Sequence, residues 1–276
     1  MAMWIAERLS AEGKRVGLLT RGYKGRSAAG EPGAESDEVQ LMKTRLGDRV
    51  AFGVGPNRYA NGRRLAKEGV DWFVLDDGFQ HLRLARDADI LLLDATNPFG
   101  GGHVLPAGNL REPRSAIARA DVVVITRSEH SPAVEAIVRR YSVSPIFYAR
   151  PRLEKICIWR GEYPGKEDEQ LPQRKLFAFC GIGNPAAFVG NLRGWGFQVV
   201  GQRFFPDHYR YTAEDATIIE REARNVGAEG LICTEKDVFN LDHAKFAAFE
   251  LHYCTISMGL DRGDDFLQEI TARARH

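Results

Sequence analysis

The chain has 276 residues, 44% of them hydrophobic and 27% charged, with 38 Lys and Arg against 37 Asp and Glu. That balance excludes collagen-like, coiled-coil and wholly disordered chains, and a net charge of +1 gives no electrostatic basis for strong nucleic-acid binding. No apolar run approaches the roughly 18 residues that a membrane span requires, and the length suits one large or two modest domains.

In chain order, short runs rich in Val, Ile and Leu alternate with helical patterns. Met3, Trp4, Ile5 and Leu9 repeat with helical spacing and Gly13 supplies a stop, but no Ser, Thr, Asp or Asn cap precedes them. Such a helix either simply docks or follows a strand that the sequence does not contain. The start MAMWIAERL has neither a basic leader nor a long apolar stretch, so no signal peptide is expected. Strands are predicted at 15–20 (RVGLLT), 49–53 (RVAFG) and 72–75, the last ending in Asp76-Asp77, with a helix over 58–68. Ser36-Asp37-Glu38 precedes a helix-like VQLMKTRL, where Asp37 reads as an N-cap or as a base or metal ligand. Strands at 89–93, ending in Asp94, and 121–126 (DVVVIT) follow, the second after a helix-like SAIARA; a helix over 133–141 leads to a strand at 145–148.

Residues 151–174 break the rhythm with three prolines and a charge run, and read as a hairpin or linker. The alternation restarts with strands at 176–180, 198–203, 230–234 and 250–256 and helices at 185–193, 213–225 and 264–275. Strands apolar throughout are buried on both faces, which suits a parallel sheet. The pattern predicts a doubly wound, mostly parallel α/β domain over 1–150, a hairpin linker over 151–174 and a second, smaller α/β domain over 175–276. Cys157, Cys180, Cys233 and Cys254 form no CxxC pair and read as buried free thiols of a reducing, cytoplasmic compartment. A place at a membrane surface stays open, because peripheral proteins need no span.

Ligands of open α/β sheets bind beyond the carboxyl ends of the strands. Asp76 and Asp77 there are placed like the acid that holds Mg²⁺ in phosphoryl-transfer enzymes, with Gln80 and His81 following and Arg21, Arg111 and Arg127 at other strand ends. The competing reading is an Asp-Gly turn. His208, in FFPDHY beyond a strand of the second domain, could meet the first domain across a cleft and relay a proton, or be a surface residue of a proline turn. Thr234-Glu235-Lys236-Asp237 reads as a helix cap, or as a segment whose Lys reaches a phosphate. Gly181 to Ala186 partly fits a dinucleotide fingerprint but lacks its acidic partner, which favours a tight strand-to-helix turn. Neither HExxH nor GxSxG occurs, and a zinc site from His81, His103, Asp76 and Asp77 has no metal-ligand spacing behind it. His130, His243, His252 and His276 have no motif partners and read as solvated.

RGY at 21–23, SDE at 36–38, DDGFQH at 76–81, LPAGNLREP at 105–113, GIGNP at 181–185, FPDHYRYT at 205–212 and TEKD at 234–237 together cover nearly the whole chain. In that order they resemble the tetraacyldisaccharide 4'-kinase family of lipid A biosynthesis. The resemblance implies a P-loop-kinase-like domain joined by a two-stranded linker to a smaller α/β domain. It implies ATP and Mg²⁺ as cofactors, and phosphorylation of the 4'-hydroxyl of a tetraacylated glucosamine disaccharide 1-phosphate. The place implied is the cytoplasmic face of the inner membrane, with the protein peripheral to it. Carried over, Asp37 is the base and His208 its partner; Asp76 and Asp77 hold Mg²⁺; Gln80, His81, Arg111 and Glu112 line the phosphate and sugar site; Tyr23, Glu38 and Arg58 are further contacts.

One departure is large. The family's GxxxxGK[ST] loop occurs nowhere in the 276 residues; the Gly-Lys pairs at 13–14 and 165–166 lack its other positions. In the family that loop precedes the helix matching 3–8, and a membrane-anchoring helix lies further upstream. The expectation is therefore an N-terminally truncated kinase domain that binds ATP poorly. A non-catalytic remnant that binds the acyl-sugar or a protein partner, and a dinucleotide-dependent enzyme using the 181–186 turn, are the alternatives.

Overall fold

A computed structural model describes residues 1–22, 36–169, 173–241 and 244–274. The elements in order are α1 (Ala2–Ala11), β1 (Val16–Thr20), α2 (Asp37–Leu46), β2 (Val50–Val54), α3 (Arg58–Lys67), β3 (Trp72–Leu75), β4 (Ile90–Asp94), β5 (Val122–Thr126), α4 (Pro132–Val138), β6 (Ile146–Trp159) and β7 (Lys166–Glu167). They continue with β8 (Lys175–Cys180), α5 (Pro185–Gly194), β9 (Gln198–Phe204), α6 (Ala213–Asn225), β10 (Gly230–Thr234), α7 (Glu235–Val238), β11 (Leu251–Leu260) and α8 (Gly263–Arg273). The class is α/β with parallel sheets. By its contacts the chain divides into two units, one of residues 1–21, 48–152 and 258–276, the other of 22–47 and 153–257.

In the first unit β1 pairs in parallel with both β2 and β3, and β4 pairs in parallel with β5, which pairs with β6. The apolar runs of β1 and β5 are buried along their length, as parallel strands covered on both faces must be. β3 and β4 differ. Each ends its run of paired strands in this unit, and Phe73 and Leu92 stay exposed. Their open edges line one hollow of about 880 Å³, floored by Ile5, Leu9 and Leu19.

In the second unit the strand order is β11-β10-β8-β9, all parallel. Alternate residues of β8 feed opposite cores: Phe177 and Phe179 pack with Tyr211 and Ile219 on one side, Leu176 and Ala178 with Phe188 and Leu192 on the other. Helices α6 and α5 thus cover the two faces. Thr212 and Asp215 close a capping box at the start of α6, satisfying backbone donors that the first turn leaves open. All four cysteines are free and buried.

Several local expectations change. The N-cap of α2 is Ser36, whose side chain accepts from Val39 N; Asp37 is the first helical residue, and its Oδ1 accepts from Glu38 N at 2.9 Å. SAIARA is a 3₁₀ turn (Arg114–Arg119), closed by Ala116 N to Pro113 O and Ala120 N to Ile117 O bonds. The strand expected to stop at Tyr148 continues to Trp159. Pro151 sits between the stretch paired with β5 and the stretch paired antiparallel with β7 through Cys157 and Ile158, so its missing N–H breaks neither ladder. His252 is not solvated but fully buried, because its strand β11 runs beside β10. His243 and His276 lie outside the described residues.

Candidate active site

The second unit gathers four of the polar motifs around Asp37. Helix α2 packs on α7, so residues 22–47 group with 153–257 although chain order alone assigns them to the first domain. Arg45 of α2 binds the Glu235 carboxylate and the Ile256 carbonyl, which fixes the helix. Asp37 is then only 7% exposed. Its Oδ1 lies 2.8 Å from His208 Nδ1, and its Oδ2 accepts from Asn240 Nδ2 at 3.1 Å. Beside a carboxylate, Nδ1 serves as the donor, which leaves Nε2 as the acceptor of the neutral ring. His208 holds a left-handed backbone (φ 60°) with its N–H on the Gly181 carbonyl. A non-glycine residue there costs about 1–3 kcal/mol and persists only where its surroundings enforce it.

Lys236 completes the group. Its Nζ lies 3.2 Å from Glu38, 3.5 Å from Asp207 and 3.9 Å from Asp37. The cap expected from TEKD is present: Thr234 and Asp237 form a capping box on α7. Gly181 follows β8 in a tight turn, with its N–H on Asp237 Oδ1 at 2.8 Å. A Cβ there would meet the Pro206 carbonyl at 2.9 Å, which only glycine avoids. Asn184 caps α5 by accepting from Ala187 N, so the helix start is already satisfied by the chain itself.

The first unit holds the other group. Asp76 follows β3; its N–H donates to Leu19 O and its Oδ2 accepts from Thr20 Oγ1 at 3.2 Å. Asp77 adopts a left-handed backbone (φ 47°) and pairs with Arg111 at 3.1 Å, both side chains exposed. Such a pair contributes about 0–1 kcal/mol and exchanges readily for another partner. Arg58 is buried, donates to the Asp76 carbonyl at 3.3 Å, and has no hydrogen-bond partner for its Nε among the described residues. His81 N donates to Gly78 O; burial and the nearby Arg58, Arg86 and Arg83 hold its ring below the usual histidine range. Arg127 is engaged by Asp94 at 2.9 Å.

Glu112 takes two bonds from Arg119, at 2.6 and 3.0 Å, and Gln80 also bonds its carboxylate. The Arg119 guanidinium lies over the Phe79 ring. Arg119 holds the Glu112 carboxyl below the ordinary glutamate range. Stabilisation from this pair is therefore present above the ordinary pKa and lost as pH falls through the lowered one. Arg119→Met is expected to return Glu112 towards the ordinary value, read from its carboxyl carbon in an NMR titration. Identical titrations in both proteins would show that the ion pair does not govern Glu112.

The comparisons with known proteins decide the family. The profile of the tetraacyldisaccharide-1-P 4'-kinase (LpxK) family matches residues 1–275. A tetraacyldisaccharide 4'-kinase of Anaeromyxobacter dehalogenans strain 2CP-1 is 37% identical over 290 aligned residues, covering 97% of this chain and 75% of that protein. One of Geobacter metallireducens is 38% identical over 260, covering 87% and 73%. The chain belongs to the tetraacyldisaccharide-1-P 4'-kinase family. Its relatives are phosphotransferases, so the chain falls in an enzyme family. A crystal structure of LpxK from Aquifex aeolicus, described as an "apo" form in complex with ATP, is similar with a TM-score of 0.69 and 28% identity, over 99% of this chain and 83% of that one. The likeness carries the kinase fold of that structure to this chain.

Within this 4'-kinase fold, Asp37, Glu38 and His208 come together in the second unit. Asp76, Asp77, Gln80, His81, Arg58, Arg111 and Glu112 all lie in the first. Tyr23 lies outside the described residues. No motif marks Asn240 or Arg119. Asn240 is two residues past α7, and only the packing of α2 on α7 brings it to Asp37. Arg119 ends a 3₁₀ turn and meets Glu112 seven residues back. A charged residue at that spacing is invisible to helical or strand periodicity.

Proposed function

We propose that the chain is an ATP-dependent kinase that phosphorylates the 4'-hydroxyl of a tetraacylated glucosamine disaccharide 1-phosphate. Asp37 takes the proton of the attacking hydroxyl, and His208 orients the carboxylate and shares its charge. The observation that carries this reading is the buried Asp37 carboxylate, bonded at once to His208 at 2.8 Å and Asn240 at 3.1 Å. Phosphoryl transfer needs positioning, charge neutralisation and a proton acceptor rather than covalent chemistry. A carboxylate held in one orientation by His208, Asn240 and the Glu38 N–H meets the last of these needs.

Mg²⁺ fits the residues at the end of β3. Asp76 and Asp77 present hard carboxylate oxygens, and the Asp77–Arg111 pair is exposed enough to exchange. When bound, the ion would neutralise charge on the transferred phosphate. The Nε of buried Arg58, which has no partner among the described residues, is a donor suited to a phosphate oxygen, and Arg111, Glu112, Gln80 and His81 bind phosphate and sugar. Glu38 and Tyr23 are further substrate contacts.

The substrate is a membrane lipid, which supports a peripheral position at the cytoplasmic face of the inner membrane. No helix of the described residues is long and apolar enough to cross a membrane.

The 276 residues contain no GxxxxGK[ST], whose backbone N–H groups and lysine cradle phosphates. The hollow between β3 and β4 has two open strand edges and suits a strand carrying such a loop. A fluorescent ATP analogue titrated with Mg²⁺ is expected to show no saturation in the micromolar range with these 276 residues. It is expected to bind at micromolar concentration once a relative's strand and phosphate loop are joined ahead of Met1. Micromolar affinity in the unextended protein would refute the first expectation.

A further inference from the structure

The second unit contains a cluster that the kinase chemistry does not use. His252, on β11, is 0% exposed. Its Nδ1 lies 3.3 Å from the Leu231 carbonyl, a group that only accepts, so Nδ1 carries the hydrogen. The ring is thereby turned to aim Nε2 at two carboxylates, Asp168 Oδ2 at 3.1 Å and Glu250 Oε2 at 3.6 Å. One oxygen or nitrogen from each of the three residues falls within 4.8 Å of the others.

The geometry points to a divalent cation of the zinc class held by His252 Nε2, Asp168 and Glu250. Ligands about 2.0–2.1 Å from a tetrahedral zinc lie about 3.3 Å apart, a value that falls between the two separations from Nε2. An imidazole whose other nitrogen is fixed on a backbone carbonyl is the usual arrangement of a zinc-ligating histidine, because that bond sets tautomer and ring orientation. Three protein ligands of mixed nitrogen and oxygen favour zinc over magnesium or calcium, which prefer oxygen alone.

The ligands come from separate pieces of chain. Asp168 follows β7, its N–H held by Ile156 O at 2.8 Å, while Glu250 immediately precedes β11 and His252 is its second residue. A bound ion would therefore clamp the β6–β7 hairpin to β11. Arg174 opposes it: its Nη1 lies 3.3 Å from Glu250 Oε2, the same oxygen that faces His252, and Arg160 reaches Oε1 at 3.5 Å. Removing the Arg174 charge should strengthen the site.

The test is calorimetric titration of the chelator-stripped full chain with Zn²⁺, in excess Mg²⁺ to occupy hard oxygen sites. The wild type is expected to bind one equivalent at micromolar or lower Kd and to melt several degrees higher with zinc. His252→Gln and Asp168→Asn are expected to weaken binding at least about tenfold. Arg174→Gln changes a half-exposed side chain and is expected to tighten binding severalfold, so the site stays testable if His252→Gln fails to fold. Cobalt(II) should give the visible absorption of a four-coordinate ion with the wild type and lose it in Asp168→Asn. The proposal is overturned if the wild type takes up no stoichiometric zinc. It is equally overturned if Asp168→Asn and Arg174→Gln bind zinc as the wild type does, or if nitrogen NMR shows both ring nitrogens of His252 protonated in the presence of zinc. None of these readouts depends on kinase activity.

Discussion

Asp37→Asn in the protein extended with a phosphate loop is expected to lower kcat for phosphoryl transfer by about 100- to 10,000-fold, with KM for ATP and for the lipid changed only a few-fold. That range is the usual contribution of a positioned general base. Asn keeps the size and one acceptor of the carboxylate, so the bond from Asn240 or His208 can persist while proton acceptance is lost. His208→Gln is expected to lower kcat less than Asp37→Asn, because it removes the orienting donor and leaves the base in place. Steady-state kinetics on both variants, with circular dichroism as a folding check, measures this. A kcat within threefold of the wild type in Asp37→Asn would remove Asp37 from the chemistry.

Asp237→Ala is expected to destabilise the second unit by about 3–4 kcal/mol. This carboxylate is 1% exposed and accepts from Tyr211 Oη at 2.7 Å, Gly181 N at 2.8 Å, and Thr234 N and Oγ1 at 3.1 and 2.5 Å. Alanine would leave buried donors from three separate stretches of chain without an acceptor. The same residue ties the Gly181 turn to α7, and His208 hangs on the Gly181 carbonyl. Loss of Asp237 should therefore loosen the Asp37–His208 pair as well. Burial raises the Asp237 pKa despite bonds from Thr234, Gly181 and Tyr211. The fold then holds its proton more tightly than the unfolded chain. Its contribution to stability is greatest below the ordinary aspartate pKa and declines as pH rises through the raised one. Urea unfolding of wild type and Asp237→Ala at several pH values checks both claims. A difference under about 1 kcal/mol, or one that does not vary with pH, would contradict them.

What could be read from the sequence was local. VGLLT, VVVIT and GLICT announce buried parallel strands through composition alone, and DDGFQH announces its position by following one of them. The polar residues of the site needed a resemblance to be assigned roles, because each has an ordinary structural explanation when taken singly. Long-range packing stayed hidden. Nothing within residues 36–47 signals that Arg45 will bind Glu235 and carry Asp37 into the second unit, since that ion pair spans 190 positions. The buried state of His252 was missed for a related reason. A polar residue inside a strand reads as solvated until its neighbours are known, and here Asp168 and Leu231 supply them. β6 was cut short because Pro151 and the charges after it imitate a strand end.

The most direct test of the account is transfer of labelled phosphate from ATP to a tetraacylated disaccharide 1-phosphate in mixed micelles, by the loop-extended chain with and without Asp37→Asn. A lipid bisphosphate labelled at the 4'-position is expected from the first protein and almost none from the second. Equal product from both, or ATP turnover with no label in the lipid, would contradict it.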